Sequence, residues 1–119
     1  MKIDKKILII GDFYDELIKS KQNFFDSGVD IFCPPGVAEF KAIWEFSHDF
    51  NLIVINGCYK NSSEKEIVSL VKKIHVYFSG PIVAVFVNVS FNNRLIKVGC
   101  DYEVKKEDIS KKVKEILSL

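Results

Sequence analysis

The sequence predicts an α/β fold, a (βα)5 doubly wound parallel sheet of five strands with helices on both faces. Short uninterrupted apolar runs recur along the chain, and segments with the apolar spacing of amphipathic helices separate them. The chain has 119 residues, of which 48% are apolar or aromatic, enough for one core and too short for two domains. We therefore expect a single domain over residues 1–119.

Five apolar runs are typical of strands that are buried on both faces. The clearest is Leu52-Ile-Val-Ile55, which is largely β-branched and stops abruptly at Asn56-Gly57. The other predicted strands are Lys6–Ile10, Val29–Cys33, Pro81–Val87 and, more weakly, Cys100–Val104.

The segments between these runs carry helical signals. Ser63, with Glu66 three residues later, forms a capping-box pattern that predicts the start of the third helix. Gly28 predicts the end of the first helix. The predicted apolar faces of the first, second, third and fifth helices are, in order, Tyr14, Leu17, Ile18 and Phe25; Phe40, Ile43, Trp44 and Phe50; Ile67, Leu70, Val71 and Ile74; and Ile109, Val113, Ile116 and Leu117. The fourth is predicted as a short helix around Leu95, Ile96 and Val98 that ends at Gly99.

Charge and cysteine content narrow the class of protein. Lys and Arg number 17 against 16 Asp and Glu, a formal charge of +1, so we expect neither a nucleic-acid partner nor an anionic membrane. The three cysteines have no CxxC spacing, which argues against a disulfide framework or a structural zinc site. The N-terminus is too polar for a signal peptide. We expect a cytoplasmic protein that carries no cofactor.

In open parallel sheets, ligands bind at the carboxyl ends of the strands. The residues at or just after the predicted strand ends are therefore the candidates for a site. They are Gly11, Asp12, Cys33, Asn56, Gly57, Phe86, Val87 and Lys105.

These strand ends resemble the receiver domains of two-component response regulators, over essentially the whole chain. In that family the first strand ends in two acidic residues that bind Mg²⁺, the third in the phosphate-accepting Asp and the fourth in Ser or Thr, and the fifth carries an aromatic residue three positions before a Lys. The matching segments are Lys6–Asp12, Asn51–Asn56, Pro81–Phe86 and Gly99–Lys105. The resemblance implies a flavodoxin-like, receiver-like sheet with strand order 2-1-3-4-5.

The positions that differ from the family pattern are more informative about function than the positions that match it. The phosphoacceptor position holds Asn56, the first acidic position Gly11 and the hydroxyl position Phe86, whereas Asp12, Tyr102 and Lys105 keep the family's residue type. An amide is a far poorer nucleophile than a carboxylate, and Asp12 alone would hold Mg²⁺ weakly at most. These changes predict a degenerate phosphoacceptor pocket in a pseudo-receiver that has no catalytic residues and is not an enzyme.

The resemblance also implies how such a module acts. Receivers commonly contact partners or form dimers through the fourth helix, fifth strand and fifth helix, and we expect the same face to bind a protein partner or a second copy of the chain here. Its candidate interaction and switch residues, where the core does not bury them, are Leu95, Tyr102, Ile109 and Val113.

Two alternatives use the same architecture. A flavin carrier would need a hydroxyl- and glycine-rich loop after the first strand, and Gly11-Asp-Phe-Tyr-Asp-Glu16 is acidic and bulky instead. A ligand sensor would use Asp12, Asn56 and Lys105 as its polar contacts.

Overall fold

A computed structural model describes residues 5–10, 21–33, 49–55 and 63–118. The strands are β1 (Lys5–Ile10), β2 (Val29–Phe32), β3 (Leu52–Ile55), β4 (Ile82–Val85) and β5 (Tyr102–Val104). The helices are α1 (Lys21–Asp26), α2 (Glu64–Tyr77), α3 (Val89–Val98) and α4 (Ile109–Leu117), with a 3-10 turn at Lys106–Asp108. The third, fourth and fifth helices of the sequence prediction are thus α2, α3 and α4, and the predicted second helix lies largely outside the described residues.

The five strands form one parallel sheet in the order β2-β1-β3-β4-β5. This confirms the predicted fold class and strand order. All side chains of β3 and β4 are buried, because central strands of a parallel sheet are covered by helices on both faces. Their continuous apolar sequences are the pattern such strands require.

Two apolar layers cover the sheet, one on each face. On one face α2 and α3 pack against the strands through Ile67, Val71, Ile74, Phe91 and Leu95. On the other face α1 and α4 contribute Phe24, Ile109, Val113 and Leu117. Neighbouring strand residues alternate between the layers, with Ile53 in the first and Val54 in the second, as the pleat of a strand dictates.

The start of α2 is as the sequence predicts. The Ser63 hydroxyl accepts a hydrogen bond from the Glu66 N–H at 3.1 Å, and the Ser63 N–H donates to the Glu66 carboxylate at 3.4 Å. This reciprocal capping box satisfies two backbone donors at the helix start. Both residues are exposed, so the box stabilises the helix locally.

Gly99 ends α3 with a φ of 140°, a conformation that side-chain-bearing residues rarely adopt. A Cβ atom at this position would lie 2.6 Å from His75 Cγ and 2.8 Å from His75 Cβ. The lack of a side chain therefore lets the end of α3 approach the last turn of α2. The sequence prediction that this helix stops at Gly99 is confirmed.

One predicted helical face differs in phase from the structure. The sequence placed Phe25 on the buried face of the first helix, but Phe25 is 40% exposed and Phe24 is buried in the layer formed with α4. The helical spacing of short, partly apolar segments allows either phase, and packing against β2 and α4 selects Phe24. The other predicted members of that face, Tyr14, Leu17 and Ile18, lie outside the described residues.

Among the helices in the described ranges, none is both long and apolar enough to span a membrane.

Candidate functional site

The candidate site lies at the carboxyl ends of the strands, where β4 and β5 bring two predicted site residues to the same edge. Val85 pairs with Val104, and the N–H of Phe86 donates to the Val104 carbonyl at 2.8 Å. Phe86 and Lys105 are the residues that follow these two valines in the chain. They therefore lie at one end of two neighbouring strands.

Three predicted pocket residues, Gly11, Asp12 and Asn56, lie outside the described residues. The strands that precede them in sequence are described to their last residues, where Ile10 of β1 pairs with Ile55 of β3. Both side chains are fully buried. β1 and β3 thus end side by side in the middle of the sheet.

The β4–α3 connection and the first residue of α3 present apolar side chains to solvent. Phe86 is 41% exposed, and Val87 and Val89 are also exposed. None of these three side chains can donate or accept a hydrogen bond. At the position where the receiver pattern has a hydroxyl, the chain presents a partly exposed aromatic ring.

Lys105 begins the 3-10 turn between β5 and α4. Its backbone carbonyl accepts a hydrogen bond from the Asp108 N–H at 2.9 Å, and its side chain is exposed. Within the part of the chain that the structure describes, its ammonium group makes no ion pair. Its position at the carboxyl edge agrees with the segment Gly99–Lys105 being the counterpart of the receiver's fifth strand.

Two asparagines that the sequence reasoning missed organise the β4–α3 connection. The Asn88 Oδ1 accepts from the Phe91 N–H at 2.8 Å and caps α3. Asn92 is fully buried, and its side chain bonds to the backbone of Val85, Val87 and Asn88. The signals were present in the sequence: an Asn preceding a helix is a favoured cap, and Asn92 falls three residues before Leu95, at a position on the apolar face.

The structure corrects most of the predicted interaction residues. Leu95, Ile109 and Val113 have no exposed surface and lie in the two core layers. These residues face the sheet because they form the apolar sides of α3 and α4, and burying that side is what holds each helix in place. They support the surface of this side from below.

Tyr102 is the one residue of that set that lies at the surface, with 39% exposure. The Lys112 ammonium of α4 lies 4.7 Å from the centroid of its ring, within the range of a cation–π interaction. On α3 the neighbour of buried Leu95, Ile96, is 41% exposed. Ile96 and Tyr102 are therefore among the exposed apolar residues of the α3–β5–α4 side.

A groove between β5 and α4 lies on the same side of the molecule. Its lining is Val104, Asp108, Lys111, Lys112 and Glu115. Two carboxylates and two ammonium groups balance each other there, so the groove favours neither an anionic nor a cationic ligand.

Of the cysteines in the described ranges, Cys100 is buried and Cys33 is exposed. Burial, and to a smaller extent the neighbouring Asp101 carboxylate, raise the pKa of the Cys100 thiol to about 12. Asp101 also makes two hydrogen bonds to the backbone of β4. Its carboxylate accepts from the Ile82 N–H at 2.9 Å, and its own N–H donates to the Ile82 carbonyl at 2.8 Å. A thiol with so high a pKa remains protonated and is a poor nucleophile.

Solved structures with the same architecture include response-regulator receiver domains. A two-component response regulator from Clostridium difficile is 26% identical, with a TM-score of 0.75 and 97% of each chain covered. The likeness therefore spans the entire sheet and its helices. The chain has the receiver fold.

More distant receivers agree with this assignment of the receiver fold. A CheY-like receiver domain from Methanospirillum hungatei JF-1 is 23% identical, with a TM-score of 0.75, and the match covers 96% of this chain and 94% of that one. A signal receiver domain from Clostridium thermocellum is 19% identical, with a TM-score of 0.74 and coverage of 98% and 99%. No family model matches the sequence, and a search of curated proteins finds no match to it.

Proposed function

We propose that the protein is a signalling module of the receiver type that is not phosphorylated and acts through protein–protein interaction. The observation that carries the proposal is Phe86: directly after β4, at the edge where a receiver presents a hydroxyl, this chain has an aromatic ring that is 41% exposed. The ring offers no hydrogen bond to a phosphoryl oxygen. It also replaces a small polar side chain by a large apolar one.

The sequence at the other strand ends supports the same proposal. Asn56 directly follows the last residue of β3 in the sequence, and its amide lacks the charge and the nucleophilicity that an acyl phosphate requires. Gly11 has no side chain to offer as a ligand, so Asp12 is the sole carboxylate among Gly11, Asp12 and Asn56.

The residues do not fit the Mg²⁺ that the receiver fold implies. Mg²⁺ demands nearly octahedral oxygen coordination and usually relies on carboxylates together with substrate phosphates. Gly11, Asp12 and Asn56 supply a single carboxylate between them, and this set of residue types does not support Mg²⁺-assisted phosphoryl transfer.

The experiment that tests the loss of phosphorylation is a titration with beryllofluoride and Mg²⁺, followed by two-dimensional amide NMR. We expect no specific shift of the Phe86, Val87 and Lys105 amides, because nothing at this edge would hold the phosphoryl mimic. Acetyl phosphate with mass spectrometry is the covalent counterpart, and we expect no added phosphoryl group. Saturable shifts at these amides, or stoichiometric phosphorylation, would contradict the proposal.

The surface proposed for interaction is the α3–β5–α4 side, where Ile96 and Tyr102 are two of the exposed apolar residues. For a homodimer through this side, sedimentation equilibrium is the test. We expect the dissociation constant to increase in Ile96→Lys and to be unchanged in Val76→Lys, which alters an equally apolar but more exposed residue on α2. A monomer at all concentrations, or equal weakening by both variants, would contradict the homodimer and leave a different protein as the partner.

A further inference from the structure

One buried polar side chain forms hydrogen bonds to the connection between β4 and α3. In the described residues Asn92 is the only polar or charged residue in the core, with no exposed surface. A buried amide is retained only where partners satisfy its hydrogen-bonding groups. The partners of Asn92 therefore indicate what the residue is for.

All the side-chain hydrogen bonds of Asn92 go to the backbone of one short stretch, residues 85–88. Its Oδ1 accepts from the N–H of Val87 at 2.9 Å and from the N–H of Asn88 at 3.3 Å. Its Nδ2 donates to the Val85 carbonyl at 3.2 Å. The backbone partners also define the orientation of the amide, since two N–H donors require its oxygen and a carbonyl requires its nitrogen.

The same stretch is held from its other end by Asn88. Its Oδ1 caps the Phe91 N–H at 2.8 Å, and its backbone carbonyl accepts from the Asn92 N–H at 3.0 Å. Phe86 is in turn attached to β5 through its N–H bond to Val104. Every residue from Val85 to Asn88 thus makes a hydrogen bond to β5, to α3 or to the Asn92 side chain.

If this connection shifted, the Asn92 amide would lose its hydrogen-bond partners. Water could not replace them, because the side chain is fully buried. The bonds in such a network reinforce one another, and a partly satisfied network is less favourable than a complete one. The connection therefore has one strongly preferred conformation. In a receiver, the hydroxyl residue at the position of Phe86 moves toward the phosphoryl group. That movement requires the connection between β4 and α3 to move as well.

We propose that Asn92 is a conformational clamp that keeps the β4–α3 connection in a single state. The inference rests on the proposed function in one respect, that a module without a phosphoryl group needs no moving connection there. Phe86, Val87 and Val89 are then presented at the surface in a constant arrangement. The module signals in one fixed form and does not switch.

Amide hydrogen exchange measured by NMR tests the clamp directly. In the unmodified protein we expect the Val87 and Asn88 amides to exchange at least roughly a hundredfold more slowly than in an unstructured peptide. In Asn92→Ala we expect exchange at these two amides to accelerate roughly ten- to a hundredfold, since their acceptor is lost. The Phe86 amide, which bonds to Val104, and the Asp101 amide, which bonds to Ile82, should keep their protection.

Asn93→Ala is the matched control, because it removes the same side chain from the next, exposed position of α3. We expect it to leave all four amides unchanged. Rapid exchange of Val87 and Asn88 in the unmodified protein would overturn the clamp, and this measurement needs no variant. Unchanged protection in a folded Asn92→Ala protein would overturn it as well.

The exchange experiment also separates this inference from the proposed function. It is repeated on the unmodified protein with beryllofluoride and Mg²⁺, and we expect the protection of Val87 and Asn88 to stay the same. Chemical shift changes at Phe86 or Lys105 with that protection retained would contradict the proposed function and leave the clamp standing. Loss of the protection on addition of the mimic would overturn the clamp.

Discussion

Single residues decide what the carboxyl edge of this sheet can do. Phe86 places an apolar ring just after β4, and Lys105 places a cation just after β5. The side chain of Asn92 forms hydrogen bonds to the backbone at the end of β4 and in the β4–α3 connection. The Phe86 ring cannot make the hydrogen bond that a hydroxyl at this position would make, and Asn92 is the clamp that we propose for the segment between β4 and α3. The chemistry of the edge is therefore set by a few side chains on an otherwise ordinary receiver sheet.

Cys100 gives a residue-scale prediction about pH. Its pKa is raised from 9.0 to about 12 in the folded protein. A thiol that is more easily ionised in the unfolded chain than in the folded one favours unfolding as the pH rises above 9. Its contribution to stability is thus complete below pH 9 and is lost progressively as the pH rises from 9 toward 12.

The measurement is the free energy of unfolding of the unmodified protein and of Cys100→Ala, by urea denaturation at neutral pH and at about pH 10. We expect the unmodified protein to lose about 1 kcal/mol more than the variant between these two conditions. The packing defect of the alanine is present at both pH values, so it cancels in the comparison. An equal loss in both proteins would show that the thiol ionises alike in the folded and unfolded states.

At the scale of the elements, local signals explain where α2 begins and where α3 begins and ends. α2 starts at a capping box, α3 starts at an Asn cap, and α3 stops at a glycine with positive φ. Each device satisfies or relieves backbone groups that the ends of a helix leave without partners. Such devices act within a few residues, so they are visible in the sequence before any tertiary contact is known.

The capping box of α2 predicts a specific stability difference. Ser63→Ala removes the acceptor of the Glu66 N–H, and we expect the free energy of unfolding to fall by about 1 kcal/mol. Ser69→Ala is the matched control, since Ser69 lies on the exposed side of the same helix and alanine is the better helix former there. Chemical denaturation measures both. A loss in Ser69→Ala equal to that in Ser63→Ala would contradict the role of the cap.

At the scale of the whole molecule, one sheet separates two apolar layers that must both form for the domain to be stable. Leu95 of α3 lies in one layer and Val113 of α4 in the other. Both were predicted as candidates for an interaction face, and both are fully buried. We therefore expect substitutions at Leu95 and Val113 to lower the free energy of unfolding. They should weaken partner binding only because they unfold the domain.

Two adjacent residues of α3 test this distinction. Leu95→Ala should lower the free energy of unfolding by about 2–5 kcal/mol, since it leaves a cavity in a fully buried site. Ile96→Ala, one position further and 41% exposed, should change it by less than about 0.5 kcal/mol. Thermal or urea unfolding measures both. Similar losses in the two variants would show that the assigned phase of α3 is wrong.

The sequence by itself determined the fold class, the order of helices and strands and the residue types at the strand ends. These follow from local patterns: continuous apolar runs, helical spacing, caps and glycines. The resemblance to receivers added the strand order 2-1-3-4-5, which the structure confirms. The substitutions at Gly11, Asn56 and Phe86 were equally visible, because they concern residue types at known positions of a pattern.

Only the tertiary structure decided which side of each helix is buried and how the edge is held. Packing selects Phe24 over Phe25 and buries Leu95, Ile109 and Val113, leaving Ile96 and Tyr102 at the surface. Periodicity defines a helical face to within about a third of a turn, whereas burial depends on what the neighbouring elements cover. The clamp by Asn92 was hidden for the same reason: an asparagine on an apolar face acquires a role only when the backbone it satisfies is brought to it.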